Sequence, residues 1–253
     1  MLLQYFTSIQ LPCRGLSRPS FDVSTDWRQQ LDFLNENYIV INCIGIIPQK
    51  IQNVVENVQM YTKINSEFPH ELAELCKQKT AFLIHLSTNC VFENGPSNEH
   101  KRPDASDVYG FTKAKGEPDS ALVIRTSIIG PEPSGSNVSL LEWFLHSTSP
   151  VRGFTNHTWN GVTTLELAKT LAILLKEPLE PKILHLFSQT PISKHDLLCY
   201  IQSVYKTSLD IIPFVTATDA NTTLQSIYPP LVMKTIQEQI RELYTFSASI
   251  LPA

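Results

Sequence analysis

Three short apolar runs set the strongest limit on what this 253-residue chain can fold into. Tyr38–Gly45 (YIVINCIG), Ala81–Ser87 (AFLIHLS) and Ala121–Ser127 (ALVIRTS) are continuous and rich in β-branched residues rather than alternating in polarity. A strand with one wet face alternates, so runs of this kind belong to strands covered on both faces, as in a parallel sheet. The intervening segments supply the covers. Ile51–Lys79 places Val54, Val55, Val58, Tyr61 and Ile64, then Phe68, Leu72, Leu75 and Cys76, at helical spacing, with a break near Pro69. Thr25–Asn35 sets a Thr or Asp cap ahead of an amphipathic turn set. Strand and helix alternating at this spacing predict βαβ units with right-handed crossovers and a doubly wound sheet.

After about residue 130 the texture changes to GPEPSGSN and then to smaller mixed elements. Helices are predicted over Val138–Thr148, Thr164–Lys176, Ser193–Lys206 and Leu231–Tyr244, and strands over Ile183–Phe187 and Ile211–Phe214. Residues 1–130 therefore read as a core, and 131–253 mainly as a smaller C-terminal α/β lobe with some segments returning to the core. The cleft between them is the expected ligand site. Composition removes other classes. With 42% hydrophobic and 17% charged residues the chain is not disordered, and a net charge of -4 gives no electrostatic case for nucleic acid. Cys13, Cys43, Cys76, Cys90 and Cys199 are odd in number and contain no C-x-x-C pair, which speaks against zinc and a disulfide scaffold and for a cytoplasmic setting. No window of about 18 apolar residues exists, so no membrane span is expected.

The residues that carry chemistry begin where the second run ends. HLSTNCVF places Ser87 and Thr88 at the carboxyl end of a buried strand, where open α/β sheets bind ligands. VYGFTKAKGE follows, with Tyr109 and Lys113 four apart on one helix face. An ammonium beside a phenol stabilises phenolate, lowers the tyrosine pKa and prepares it to exchange a proton with a carbonyl or alcohol oxygen, which a hydroxyl such as that of Thr88 can hold. The bare Y-x-x-x-K pattern is weak, since chance places about 0.4 of them in a chain of this composition. His195 with Asp196 reads as the capped start of a helix, and His85 as a core histidine.

Context makes the pattern specific. FDVSTDW, VINCIG, YTKINSEFPHELAELC, IHLSTNCVFENG, PDASDVYGFTKAKGE, VIRTSIIG and WNGVTTLELAK occur in one order from about Ser17 to Leu243. In these blocks the chain resembles the extended short-chain dehydrogenase/reductases, and within them the dTDP-4-dehydrorhamnose reductase, RmlD-like branch. The resemblance implies a Rossmann-like NAD(P)-binding core, a substrate-binding lobe, and reduction, or a related epimerase or dehydratase conversion, of a nucleotide-linked 4-keto-deoxysugar in polysaccharide synthesis. It implies Thr88, Tyr109 and Lys113 as catalytic hydroxyl, proton donor and lysine, the last two also touching the cofactor. Asn65 would support the site, Asp22 and Val23 flank the adenine, and Cys43, Ile44 and Gly45 pass under the cofactor. Arg18 stands where a cation meets a 2′-phosphate, which favours NADP over NAD. Asn89, Val91, Phe92, Arg125, Thr126, Ser127 and Thr163 border the implied sugar pocket.

Two departures from the branch stand out. Asn89 occupies the position of a carboxylate, and an amide cannot act as a base. The family's opening strand and G-x-x-G-x-x-G turn have no counterpart: the first glycine is Gly15 and the next Gly45. Met1–Gln10 reads as the back half of the first helix and Pro12–Leu16 as the second strand, so the core is expected to be truncated at its N-terminus. The alternative to an active reductase is therefore a weak or inactive sugar-nucleotide- or NADP-binding regulatory subunit, or a truncated gene product. A homodimer or a regulatory partner is compatible with either.

Overall fold

The structure, a computed structural model, describes all residues except 52, 54, 55, 133–136 and 251–253. Val54 and Val55 of the predicted helix face, and part of the segment GPEPSGSN, lie outside them. The first half builds helix α1 (Leu2–Ser8), strand β1 (Ile39–Asn42), helix α2 (Val58–Tyr61), a π-helical segment (Thr62–Glu67), helix α3 (Phe68–Gln78), strand β2 (Phe82–Thr88), helix α4 (Val108–Lys115) and strand β3 (Leu122–Thr126). The second half adds β4 (Ile128–Ile129), α5 (Leu140–His146), β5 (Val151–Phe154), β6 (His157–Trp159), β7 (Val162–Thr163), α6 (Thr164–Leu174), β8 (Lys182–Leu186), β9 (Ile192–Ser193), α7 (Lys194–Tyr205), β10 (Ile211–Phe214), β11 (Ala220–Asn221) and α8 (Ile236–Ile250). No helix among the described residues is long and apolar enough to cross a membrane.

The three continuous runs form β1, β2 and β3, and β8 joins them in a parallel sheet of order β1-β2-β3-β8. Alternate residues of each strand enter opposite cores, which is why no position in these runs needed to be polar. Leu83 and Val123 pack with Tyr61, Ile64, Phe68 and Leu72 on one side. Ile84, Leu122 and Ile124 pack with Phe6, Leu167 and Leu171 on the other, so α1 and α6 share that face. A third cluster, including Phe144, Trp159, Leu197, Ile201, Ile236 and Leu243, holds most of the second half together.

Two predicted elements do not form. Pro12–Leu16 is not a strand. The nearest strand of the sheet in the predicted order is β1, which lies at the sheet edge, and a strand without a ladder partner has nothing to satisfy its backbone. Thr25–Asn35 shortens to a 3-10 turn at Arg28–Leu31. Its apolar spacing serves to bury Trp27 edge-on against Phe68, with centroids 5.0 Å apart, and one tight turn is enough for that. The break allowed near Pro69 does not form: α2, the π-helical segment and α3 run on without interruption, with Pro69 at the start of α3.

Candidate active site

The site is assembled where β2 ends and α4 begins. Thr88 leaves β2 in an extended conformation, and its Oγ1 accepts the Cys90 N–H at 3.1 Å, capping a 3-10 turn at Asn89–Val91. Asp107 caps α4 by accepting the Gly110 N–H at 3.0 Å. Gly110 lies directly against that turn, for a Cβ there would run into the Cys90 carbonyl oxygen and the Ala105 side chain. The absent side chain lets α4 pack closely on that turn, which sets the Tyr109 phenol beside the Thr88 hydroxyl.

One turn on, Lys113 is 4% exposed, and its Nζ donates to the Leu86 carbonyl at 2.8 Å. Burial draws its pKa down to about 8, opposed by Glu117 and Cys43. The expected lowering of the tyrosine pKa does not occur. Burial pushes the Tyr109 phenol well above its ordinary value, and the Thr88 hydrogen bond offsets only part of this. The lysine charge is directed to a strand carbonyl instead, so the resting tyrosine is a firmly protonated acid.

Asn65 anchors the floor. Its Oδ1 accepts the Ile46 N–H at 2.8 Å and its Nδ2 donates to the Ile46 carbonyl at 3.0 Å, tying the π-helical segment to the loop after β1. A π-helical segment is a frequent marker of functional sites. Here it brings the Ser66 hydroxyl to the Thr112 carbonyl at 2.7 Å. Gly116 meets the Asn65 backbone so closely that a Cβ would collide with its carbonyl oxygen. A Cβ at Gly45 would lie 3.4 Å from Asn65 Oδ1 and 3.8 Å from Lys113 Nζ, so Gly45, Asn65 and Lys113 border one spot at the carboxyl end of β1. Cys43 and Gly45 are exposed there and Ile44 is partly buried. Behind them the buried His85 accepts from Asn42 Nδ2 through its Nδ1 at 3.0 Å, and burial together with Lys113 holds it neutral, well below the usual histidine range.

The remaining predicted residues are divided. Arg18 and Asp22 pair with each other at 3.0 Å on the surface, and two hydrogen bonds from Ser24 hold the Asp22 carboxyl below the usual range, with Arg18 adding to the effect. Val23 is buried in the core beside them. Asn89 is buried, with its Nδ2 donating to the Thr222 carbonyl at 2.8 Å. Ser127 Oγ accepts from Trp159 Nε1 at 2.7 Å. Four other positions are taken up by the fold rather than opened to the cleft. Val91 and Phe92 pack with Leu224. Thr126 donates to the Leu186 carbonyl, and Thr163 caps α6 through the Glu166 N–H.

Arg125 is held inside the fold. Its guanidinium is 2% exposed, meets Glu117 through two bonds of 2.9 and 2.6 Å and stacks 5.1 Å over the Phe92 ring. Ser87 also donates to Glu117, at 2.6 Å. A buried carboxylate–guanidinium fork of this kind is a structural bolt between β3 and the α4–β3 loop. Sequence reasoning missed Glu117, although it stands just four residues after Lys113 in KAKGE. It also missed Cys90, and Lys194, whose Nζ lies 4.6 Å over the Trp159 ring. A lysine in the first turn of a helix runs against the helix dipole and was the one available signal.

Comparison with known proteins places this geometry in a wider group. A probable low-salt glycan biosynthesis reductase of Haloferax volcanii is 27% identical over 201 residues, covering 70% of this chain and 66% of its own length. A dTDP-4-dehydrorhamnose reductase of Mycolicibacterium smegmatis is 25% identical over 176 residues, covering 65% of this chain and 53% of its own length. The chain thus spans about two thirds or less of the curated relatives it matches. The crystal structure of dTDP-4-dehydrorhamnose reductase from Bacillus anthracis in complex with NADP superposes with a TM-score of 0.80 at 16% identity, covering 97% of this chain and 94% of that one, which shows a shared fold. The family model for the RmlD substrate binding domain matches residues 16–249, and the chain belongs to that family.

Proposed function

We propose that the chain acts on a nucleotide-linked 4-keto-deoxysugar as an NADP(H)-dependent reductase, with Tyr109 as proton donor, Thr88 holding the sugar oxygen and Lys113 beneath them. The observation that carries this reading is the Tyr109 phenol beside the Thr88 hydroxyl, with the buried Lys113 one turn further along α4 and bonded to the Leu86 carbonyl of β2. Reduction needs an acid at the oxygen where negative charge develops, and a phenol kept protonated by burial is such an acid. With a pKa of about 8, Lys113 remains mostly cationic at neutral pH. Residues 131–253 would mainly supply the sugar side of the cleft. All five cysteines are unpaired, which supports a reducing, cytoplasmic setting.

The residues present fit one end of the cofactor. Gly45 borders Asn65 and Lys113, where a nicotinamide ribose would be held, and bound NADP(H) would supply the hydride. They do not fit its diphosphate. The one glycine before Gly45 is Gly15, whose missing side chain makes room for Leu3 of α1, and no backbone cradle is formed there. The second reading is a sugar-nucleotide-binding subunit with little turnover. Titration calorimetry with NADPH and with a dTDP-sugar, alongside NADPH consumption on dTDP-4-dehydrorhamnose, separates the two. Reduction that falls roughly 100- to 10,000-fold in Tyr109→Phe supports the reductase. Turnover unchanged by that substitution refutes the role of Tyr109, and sugar-nucleotide binding without turnover selects the second reading.

A further inference from the structure

One cation of the second half is placed against its own stability. Lys194 is the first residue of α7, directly after Ser193, whose Oγ caps the helix by accepting the Asp196 N–H at 3.0 Å. The amino end of a helix is its positive end, and a lysine there is disfavoured. The exposed Asp196 in the same turn complements the dipole but forms its contact with His195, at 2.9 Å. Lys194 is directed the other way, into the molecule.

Its aim is held by the neighbouring elements. The ammonium lies 4.6 Å over the ring of Trp159, which is 3% exposed. Trp159 is fixed at one end by its bond to Ser127 and along its backbone by the pairing of β6 with β9, which sets Trp159 opposite Ile192. Among the described residues the Lys194 ammonium forms no ion pair and no hydrogen bond. The ionisable group it feels is Cys90, and burial raises the pKa of that thiol and keeps it uncharged. Other lysines of the second half differ: Lys169 and Lys234 both close on Glu242. Burial lowers the Lys194 pKa to about 8, so at neutral pH it is still mostly a cation, partly stripped of water and held only by an aromatic face.

The group it faces belongs to the site. Cys90 lies in the turn capped by Thr88, and Ser127, which holds Trp159, follows Thr126, the residue paired with Thr88 across β2 and β3. Lys194 therefore brings a charge from the second half of the chain to the edge of the Thr88–Tyr109 pair. We propose that Lys194 is the anion anchor of this cleft and binds a negatively charged oxygen group of the substrate, a phosphate or a carboxylate, beside the reacting pair. This rests on the sugar-nucleotide reading above, in which every substrate carries a diphosphate. An incoming anion replaces the missing counter-charge, and Trp159 sets the ammonium in position before it arrives.

The test uses Trp159 fluorescence and calorimetry on the full chain, with wild type, Lys194→Met and Lys194→Arg. Inorganic pyrophosphate, dTDP-glucose, UDP-glucose and UDP-glucuronate are the anionic probes, and thymidine and free rhamnose the neutral ones. Lys194→Met is expected to weaken the anionic probes roughly 10- to 100-fold, with Lys194→Arg retaining most of the affinity and the neutral probes unaffected. Thermal unfolding of Lys194→Met at or above the wild-type temperature shows that the loss is not misfolding; a merely structural lysine would lower that temperature and leave binding intact. An effect on all nucleotide sugars identifies the diphosphate as the bound group, and one confined to UDP-glucuronate identifies the carboxylate. If dTDP-glucose binds and no anionic probe, UDP-glucuronate included, binds Lys194→Met more weakly than wild type, the anchor is refuted while the sugar-nucleotide reading stands. If pyrophosphate binds through Lys194 but no nucleotide sugar does, the anchor stands and the sugar-nucleotide reading falls.

Discussion

Glu117→Gln keeps the shape of the side chain and removes its charge, which leaves the guanidinium of Arg125 without its partner. Both side chains are buried, 2% exposed for Arg125 and 7% for Glu117, and they meet at 2.6 Å. Around the fork, among the described residues, Arg125 has the Phe92 ring at 5.1 Å and His185 Nε2 at 3.5 Å, and burial makes that histidine a poor bearer of charge. An uncompensated buried guanidinium of this kind costs about 3–5 kcal/mol. In a domain of this size that lowers the melting temperature by about 6–20 °C. Replacing both residues by apolar ones of similar volume, Glu117→Leu with Arg125→Met, is expected to restore most of the loss, since the charged pair also carries a desolvation cost. Urea unfolding monitored by tryptophan fluorescence, with calorimetric melting beside it, reads both effects. A loss below about 1 kcal/mol for Glu117→Gln, the size typical of an exposed pair, would refute the structural assignment. So would an Arg125→Met variant of unchanged stability that fails to bind nucleotide sugar, because Arg125 would then belong to the pocket.

Two further outcomes follow from packing and protonation. Gly116→Ala drives a Cβ into the Asn65 carbonyl, and a stability loss of roughly 1–3 kcal/mol is expected; unfolding midpoints equal to wild type would show that α4 and the π-helical segment yield freely. His85 and His185 are both held neutral by burial, so their folded pKa values are lowered. Below the ordinary histidine value of about 6.5 the unfolded chain binds more protons than the folded one, and stability falls as pH drops, by up to about 1.4 kcal/mol per pH unit for each group. Urea midpoints measured at neutral pH and about one unit below 6.5 are expected to fall, and less so in His85→Gln; midpoints constant across that window would contradict neutral buried histidines.

Much of the reactive pair was readable because it is local. Tyr109 and Lys113 share a helix face by spacing alone, and Thr88 stands at a strand end that the apolar run announces. The direction of the Tyr109 pKa was not readable. Adjacent charge predicts a lowered value, but burial of the ring and the donation of Lys113 to Leu86 depend on how β2 and α4 pack. Arg125 shows the same limit. It looks like a pocket cation in VIRTS until the fold turns it toward Glu117. Val91, Phe92, Thr126 and Thr163 likewise occupy positions near the cleft in sequence order, while their side chains face inward.

By itself the sequence determined the doubly covered parallel sheet, since a continuous apolar strand cannot be stable with a face in water. It also determined the helical placement of Tyr109 and Lys113, and the absence of a glycine cradle within these residues, because periodicity and residue type are properties of short windows. Tertiary structure alone decided the rest. It collapsed the Thr25–Asn35 helix to one turn around Trp27, committed Arg125 to Glu117, and set Lys194 over Trp159, 35 positions away in the chain, facing Cys90. Desolvation and charge pairing are sums over neighbours from distant segments, and those neighbours exist only once the chain has folded.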